Sequence, residues 1–517
     1  MPHPGAAVGR RMSRPAPPYT DRMTGRRPRL VSAAAENALA AALSALRREL
    51  ELPGDFDPAV EAEAGAAARS VSAAPGDALA DLRDVEFLTI DPPGTRDLDQ
   101  ALHLAARPGG GFRVSYAIAD VAAFVRPGGA VDTEARRRTQ TLYSPDLRTP
   151  LHPPALGEGA ASLLPDQVRP AVLWRIDLDP AGEVAAVDVR RALVRSRAQL
   201  DYPGLQAALD SGTAPEPVAL LPRVGELRTV LARARHATEL EVPEQEVLPA
   251  EGGGWTVRFR RQLPVERWNA QVSLLTGACA ARLMLDAGVG LLRTLPAPRP
   301  EDVAALRRLA PVLGVDWPAG AEPGDVISAL DGATPGQAAF LEHAAVLLRG
   351  AAYTPVDGAP PADLLHHAVG LPYAHVTAPI RRLVDRFGSE TCVAVGAGGN
   401  VPDWVRAALP ELPALMTAGG RLAGALERAV VDATEAWLLT GQEGREFPAV
   451  VLDAGKDKGT VVLDAPAVRA TCTGAGLPVG ERIAARLAEA DQARRVVRFT
   501  HAPESPDRSG RVGSAGQ

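Results

Sequence analysis

The chain has 517 residues, 46% of them hydrophobic and 23% charged, with a formal charge of −6. That profile excludes a disordered or fibrous protein, and Cys279, Cys392 and Cys472, scattered without a CxxC spacing, exclude a disulfide framework and a cysteine-rich zinc site. No apolar run approaches the ~18 residues of a membrane span, so no membrane association and a cytoplasmic location are expected.

Residues 1–30 carry seven arginines among prolines and glycines and read as a disordered basic tail. Within 31–84, Leu39, Leu43, Leu46 and Leu50 recur at helical spacing until Leu52-Pro53-Gly54 stops them, which predicts a small helical N-terminal segment. Residues 85–440 read as the main domain. Its first part holds short β-rich runs, FLTID, QALHLA, FRVSYAIADV and AVLWRIDLD, between Pro/Gly turns, and helical patterns dominate from about Leu200 to Trp437. Residues 446–500 return to strands and predict a small OB-like β-barrel, followed by a polar, disordered tail at 504–517. The expected class is therefore α+β.

Two stretches carry chemistry. In LTIDPPGTRDLDQALHL, Asp91 ends an apolar strand, and Asp97 and Asp99 follow across a Pro-Pro-Gly turn. Strand alternation points Asp97 and Asp99 to one side with Ala101, and Gln100 to the other with Leu98 and Leu102. Carboxylates held together need a cation, and hard oxygen donors suit Mg²⁺ or Mn²⁺, so a metal-assisted phosphoryl-transfer site stands beside the plainer reading of a polar surface turn. In YAHVTAPIRRLVDRF, Pro379 reads as the first turn of a helix capped by Thr377. Free backbone N–H groups and Arg381 would then form a phosphate cradle, against the alternative of an ordinary solvated helix.

Together, and in this order, TIDPPGTRDLDQA and YAHVTAPIRRLVD resemble the TIDP…DxDDA and YxHxTSPIRRYxD motifs of the catalytic RNB domain of the ribonuclease II/ribonuclease R family. The segments VSYAIADVAAFVRPGGAVDTEARRRTQTLYSPDLRTPLHP and SRAQLDYPGLQAALD look similar too, so the resemblance runs from about Asp84 to Trp437. It implies a hydrolytic exoribonuclease that takes single-stranded RNA by its 3′ end and releases nucleoside 5′-monophosphates. It also implies a monomer, with no protein partner evident. By position, Asp91, Asp97 and Asp99 would hold Mg²⁺ (or Mn²⁺), with Asp99 the most critical, and Arg381 would steady the scissile phosphate. Tyr143 would pack on the terminal nucleotides, Tyr202 would read the sugar, and Tyr373, Thr377 and Arg382 would join the RNA-binding set. His375 is expected to be a structural hydrogen-bonding residue.

The chain also departs from the family pattern. Gln100 stands where the family has a fourth aspartate. Its amide oxygen can still ligate a hard cation, but without the charge. Ala378 replaces a serine. The residues before Asp91 are too few for two cold-shock barrels plus the tail, which implies a different N-terminal RNA grip, or none. Gln100 and Ala378 motivate a second reading, a catalytically weakened RNA-binding or regulatory protein on an RNB scaffold.

Overall fold

A computed structural model describes residues 33–70, 79–238, 240, 244–249, 255–361 and 363–501. The expected tails at 1–30 and 504–517 lie outside the described residues.

The N-terminal segment forms two helices, α1 (Ala33–Glu49) and α2 (Pro58–Ser70). The leucine spacing of α1 puts Leu39, Leu43 and Leu46 on one buried face, against Leu426, Val430, Ala433 and Trp437 of a long helix late in the chain. Glu63 of α2 accepts the backbone N–H groups of Ala130 (3.0 Å) and Val131 (3.3 Å), capping helix α3 (Ala130–Arg138) from outside that helix. The two helices are thus packed into the main domain.

Five strands follow: β1 (Ala80–Ile90), β2 (Gln100–Ala106), β3 (Phe112–Ala119), β4 (Val168–Leu178) and β5 (Val184–Leu200). The first begins at Ala80, inside the segment expected to be helical, because Ala80 to Leu82 pair with Ala192 to Val194 of β5. Successive strands pair antiparallel, and β5 returns parallel to β1 to close a barrel. Alternation gives each strand two buried faces. Leu102, Leu104, Val114, Tyr116, Ile118 and Trp174 share one core with Val272, Leu275 and Met284 of helix α4 (Pro264–Ala287). Ala101, Ala117, Ala119 and Leu173 share the other with Val60 and Ala64 of α2. Helix α5 (Leu383–Gly396) and the long helix α6 (Leu412–Leu439) follow late in the helical part.

Residues 446–500 form a second closed five-stranded barrel, as the strand pattern predicts. Its Phe447 and Phe499 rings meet edge to face at 5.9 Å inside the barrel core, so neither offers a stacking surface. Among the described residues, no helix is long and apolar enough to cross a membrane.

Candidate active site

The apolar end of β1, Phe87 to Ile90, is wholly buried, which drives Asp91 to the barrel rim. The Asp91 N–H bonds Leu200 O at 3.0 Å, so the parallel β1–β5 pairing sets Asp91 beside the start of the helix Tyr202–Asp210. Ser162 then fixes the turn: its Oγ donates to Arg96 O (2.6 Å) and accepts from Leu98 N (3.0 Å), with the Leu98 side chain fully buried between Asp97 and Asp99. Both carboxylates are buried.

Asp99 is the electrostatic centre. Its Oδ1 accepts the Ile380 N–H at 2.8 Å, and its Oδ2 lies 3.4 Å from Arg381 Nε, buried and without a hydrogen bond. Burial pushes its pKa up to about 8 against the pull of Arg381. Asp91 rises to about 7, first through burial and then through the charge of Asp97. Asp97 is clasped by Arg148, which also grips Glu158.

The second motif is built differently from the sequence expectation. Helix α5 starts at Leu383, with Arg382 at its N-cap in an extended conformation (φ −142°, ψ 121°). The reason is tertiary: Arg382 bridges Gln140, Thr141 N bonds Arg381 O (2.9 Å) and Leu383 N bonds Thr139 O (2.9 Å). Pro379 and Arg381 therefore sit in a turn, in which the N–H groups of Arg381 and Arg382 return to Ala378 O. Thr377 does not cap the helix. It is buried, and Asp385 instead accepts the Ala378 N–H at 2.7 Å.

Asp385 also holds the Arg382 guanidinium, with Nη2–Oδ1 at 2.8 Å, so Arg382 is engaged inward. Tyr373 is buried too. Its ring edges meet His375 and His366, and it presses on Gly277 so closely that any Cβ there would collide. His375 Nδ1 bonds Tyr353 OH at 2.7 Å, and burial holds its pKa well below the ordinary histidine value, as a neutral structural histidine requires. Tyr373, Thr377 and Arg382, expected in the RNA-binding set, thus lie behind the turn, where they support it.

Gln100, beside the expected metal set, has its amide engaged within the protein. It shares the face of Leu102 and Leu104, and its amide is spent on Tyr116 OH (2.8 Å, to Oε1) and on Thr377 O (2.5 Å, from Nε2). Leu98, expected on that face, packs with Ala101 instead, because the strand begins only at Gln100.

Two tyrosines complete the rim. Tyr143, on a hairpin with Arg148, is 55% exposed, and partial desolvation followed by the charge of Asp97 pushes its hydroxyl up to about 12. Tyr202 is half-buried. Its hydroxyl accepts from Asn269 Nδ2 at 3.4 Å, and burial, then the charge of Asp91, raises its pKa. The structure therefore brings together Asp91, Asp97, Asp99, Arg381, Tyr143 and Tyr202. Sequence reasoning missed Arg148, Asn269, Tyr116 and Ser273. Arg148 stands in the tyrosine motif LYSPDLRTP and carried a signal, while the others are placed by tertiary hydrogen bonds that no local pattern shows.

Among the described residues, no group of three His, Cys, Asp or Glu side chains is drawn together closely enough to hold a metal ion. The donor chemistry fits a hard cation all the same: Asp91 and Asp99 are crowded carboxylates with raised pKa values, and Asp99 Oδ2 is a buried acceptor with no hydrogen bond. Asp97 is paired with Arg148.

The RNB domain pattern matches residues 79–387, and the pattern of an RNase II-type exonuclease C-terminal S1 domain matches residues 445–502. The chain belongs to the RNB family. Ribonuclease R of Escherichia coli is 28% identical over 353 residues, covering 65% of this chain and 43% of that protein. The fold is similar to that of Mycoplasma genitalium RNase R in complex with ribose methylated single-stranded RNA, with a TM-score of 0.80 at 19% identity over 90% of this chain and 78% of that one. It is also similar to yeast Ssd1, a pseudonuclease, with a TM-score of 0.64 at 17% identity over 81% of this chain and 52% of that one. This RNB-family chain spans less than half the length of the first curated relatives it matches.

Proposed function

We propose that the chain is a hydrolytic 3′-to-5′ exoribonuclease that degrades single-stranded RNA to nucleoside 5′-monophosphates. The observation that carries this reading is the buried Asp99 carboxylate, met by Ile380 N–H and Arg381 at a barrel rim that also presents Tyr143 and Tyr202. Exposed Tyr143 stacks on a terminal base of any identity, and Tyr202, held by Asn269, faces the ribose, where a 2′-hydroxyl separates RNA from DNA. Arg381, anchored on Asp99, steadies the charge that develops on the phosphate. Water adds to phosphorus, the bond to the upstream 3′ oxygen breaks, that oxygen takes a proton, and the terminal nucleotide leaves with its 5′-phosphate.

Asp91, Asp97 and Asp99 would hold Mg²⁺ or Mn²⁺. When bound, the cation supplies Lewis-acid polarisation of a phosphoryl oxygen and a better nucleophile from water. A cytoplasmic monomer without a protein partner remains part of this reading.

The test is incubation of the full chain with 5′-labelled single-stranded RNA and Mg²⁺, beside Asp99→Asn. A progressively shortened ladder and released monophosphates, both absent in the variant, support the proposal. RNA retention without cleavage in Mg²⁺ or Mn²⁺ supports the second reading, an RNA-binding or regulatory protein, which the Gln100 substitution and the likeness to a pseudonuclease favour.

A further inference from the structure

We infer that Gln100 is a positioning residue: its amide ties the barrel to the turn that carries Arg381, and it serves as a strut where the family has an acidic residue. The effect on turnover rests on the exoribonuclease reading, whereas the strut itself does not.

The bonding directions settle how the amide lies. Thr377 O can only accept, so Gln100 must present its NH₂ group there, at 2.5 Å, and Oε1 must face Tyr116 OH at 2.8 Å. Tyr116 OH in turn meets Ser273 Oγ at 3.0 Å. One polar chain therefore runs from Ser273 on α4, through Tyr116 on β3 and Gln100 on β2, to the backbone of the loop ahead of Arg381. Tyr116 is fully buried, which makes each link costly to leave unpaired.

The consequence lies next door. Residue 99 receives Ile380 N–H and Arg381 from that turn, and residue 100 holds Thr377, just before the turn. The loop is thus gripped through two successive residues of one strand start. An aspartate at position 100 has no hydrogen for Thr377 O and is one methylene shorter than Gln100, so the bond to the loop would be lost. Gln100 is therefore suited to a strut and unsuited to being replaced by the acid, the opposite of what a merely weakened ligand position requires.

The experiment compares the full-length protein with Gln100→Asp, Gln100→Leu and the milder Tyr116→Phe. Three quantities are read: Mn²⁺ affinity by calorimetry, amide hydrogen exchange over 376–382, and single-turnover cleavage beside RNA affinity. The strut predicts that Gln100→Asp tightens Mn²⁺ binding by less than about tenfold, the scale of one added nearby charge that is not a ligand. It also predicts that all three variants exchange faster over 376–382, and that kcat falls about tenfold or more in the two Gln100 variants with RNA affinity retained. Mn²⁺ binding at least tenfold tighter in Gln100→Asp, with unchanged exchange, would overturn the inference and make position 100 an emptied ligand site. Unchanged exchange in Tyr116→Phe, which keeps the core shape, would also overturn it. If the parent cuts no RNA while exchange responds as stated, the exoribonuclease reading fails and the strut stands.

Discussion

Ile380 donates its backbone N–H to Asp99 Oδ1 at 2.8 Å across 281 positions of sequence, joining the aspartate motif to the arginine turn. The same bond decides how the site responds to substitution. Asp99→Asn keeps an oxygen for Ile380 N–H, so the joint survives while the charge is lost. Arg381→Ala keeps the turn, because the bonds that close it do not use the Arg381 side chain. Each variant is expected to lower single-turnover cleavage by about 10²–10³-fold or more with RNA affinity little changed, as loss of one preorganised electrostatic group does. Because Arg381 rests on Asp99, the double variant should lose far less than the product of the two. Quenched-flow cleavage of labelled RNA by the four proteins checks both statements.

Arg148 is a competitor for Asp97. Its guanidinium bridges Asp97 and Glu158 at the rim, neutralising a carboxylate expected to help hold the cation. Arg148→Met removes the charge and keeps much of the side-chain bulk. Mn²⁺ binding measured by calorimetry should tighten by roughly 3–10-fold, the scale of one nearby charge in a partly solvated site.

What the sequence showed and what it hid divide along physical lines. The leucine face of α1 was legible because helical periodicity is local. Leu98 was misplaced because alternation was started before the strand does. The helix start at Thr377 failed because the Gln140–Arg382 bridge and the Asp385 carboxylate, neither visible as a local capping pattern, hold the chain in a turn first. Closure of the catalytic barrel was hidden altogether, since the β1–β5 pairing that sets Asp91 beside Tyr202 joins strands far apart in sequence.

Glu435 makes stability depend on pH. It is buried on α6, where its Oε1 accepts Arg469 N–H (2.8 Å) and Gln245 Nε2 (2.6 Å), yet burial still pushes its pKa up to about 7 from an ordinary 4.5. A carboxyl with a raised folded pKa binds its proton better in the folded state. Its contribution is therefore full below about pH 4.5 and is lost as pH rises towards 7. The loss is on the order of 2–3 kcal/mol at 1.36 kcal/mol per pKa unit. Glu435→Gln keeps an acceptor for Arg469 and cannot ionise. The stability difference between variant and parent, from urea unfolding, should shift in favour of the variant by that amount between pH 5 and pH 8.

The N-terminal helices brace the tyrosine hairpin. Arg47 of α1 donates to Asp146 at 2.8 and 3.0 Å, beside Ser144, while Leu142 of the same hairpin packs into the leucine face of α1. At its end, α1 also meets the C-terminal barrel through a two-pronged Arg495–Glu49 pair at 2.8 Å. The two kinds of contact should separate in experiment. Arg47→Ala removes a half-exposed pair worth about 0.2–1 kcal/mol, so global stability barely moves, but the hairpin carrying Tyr143 loosens. Leu43→Ala opens a buried cavity and should cost about 2–5 kcal/mol. If Tyr143 stacks on the RNA end, Arg47→Ala weakens RNA binding and lengthens the final product with the unfolding midpoint nearly unchanged, and Tyr143→Ala gives the same product pattern. An unchanged product ladder in Arg47→Ala, beside a changed one in Tyr143→Ala, would mean that the hairpin holds its tyrosine without α1.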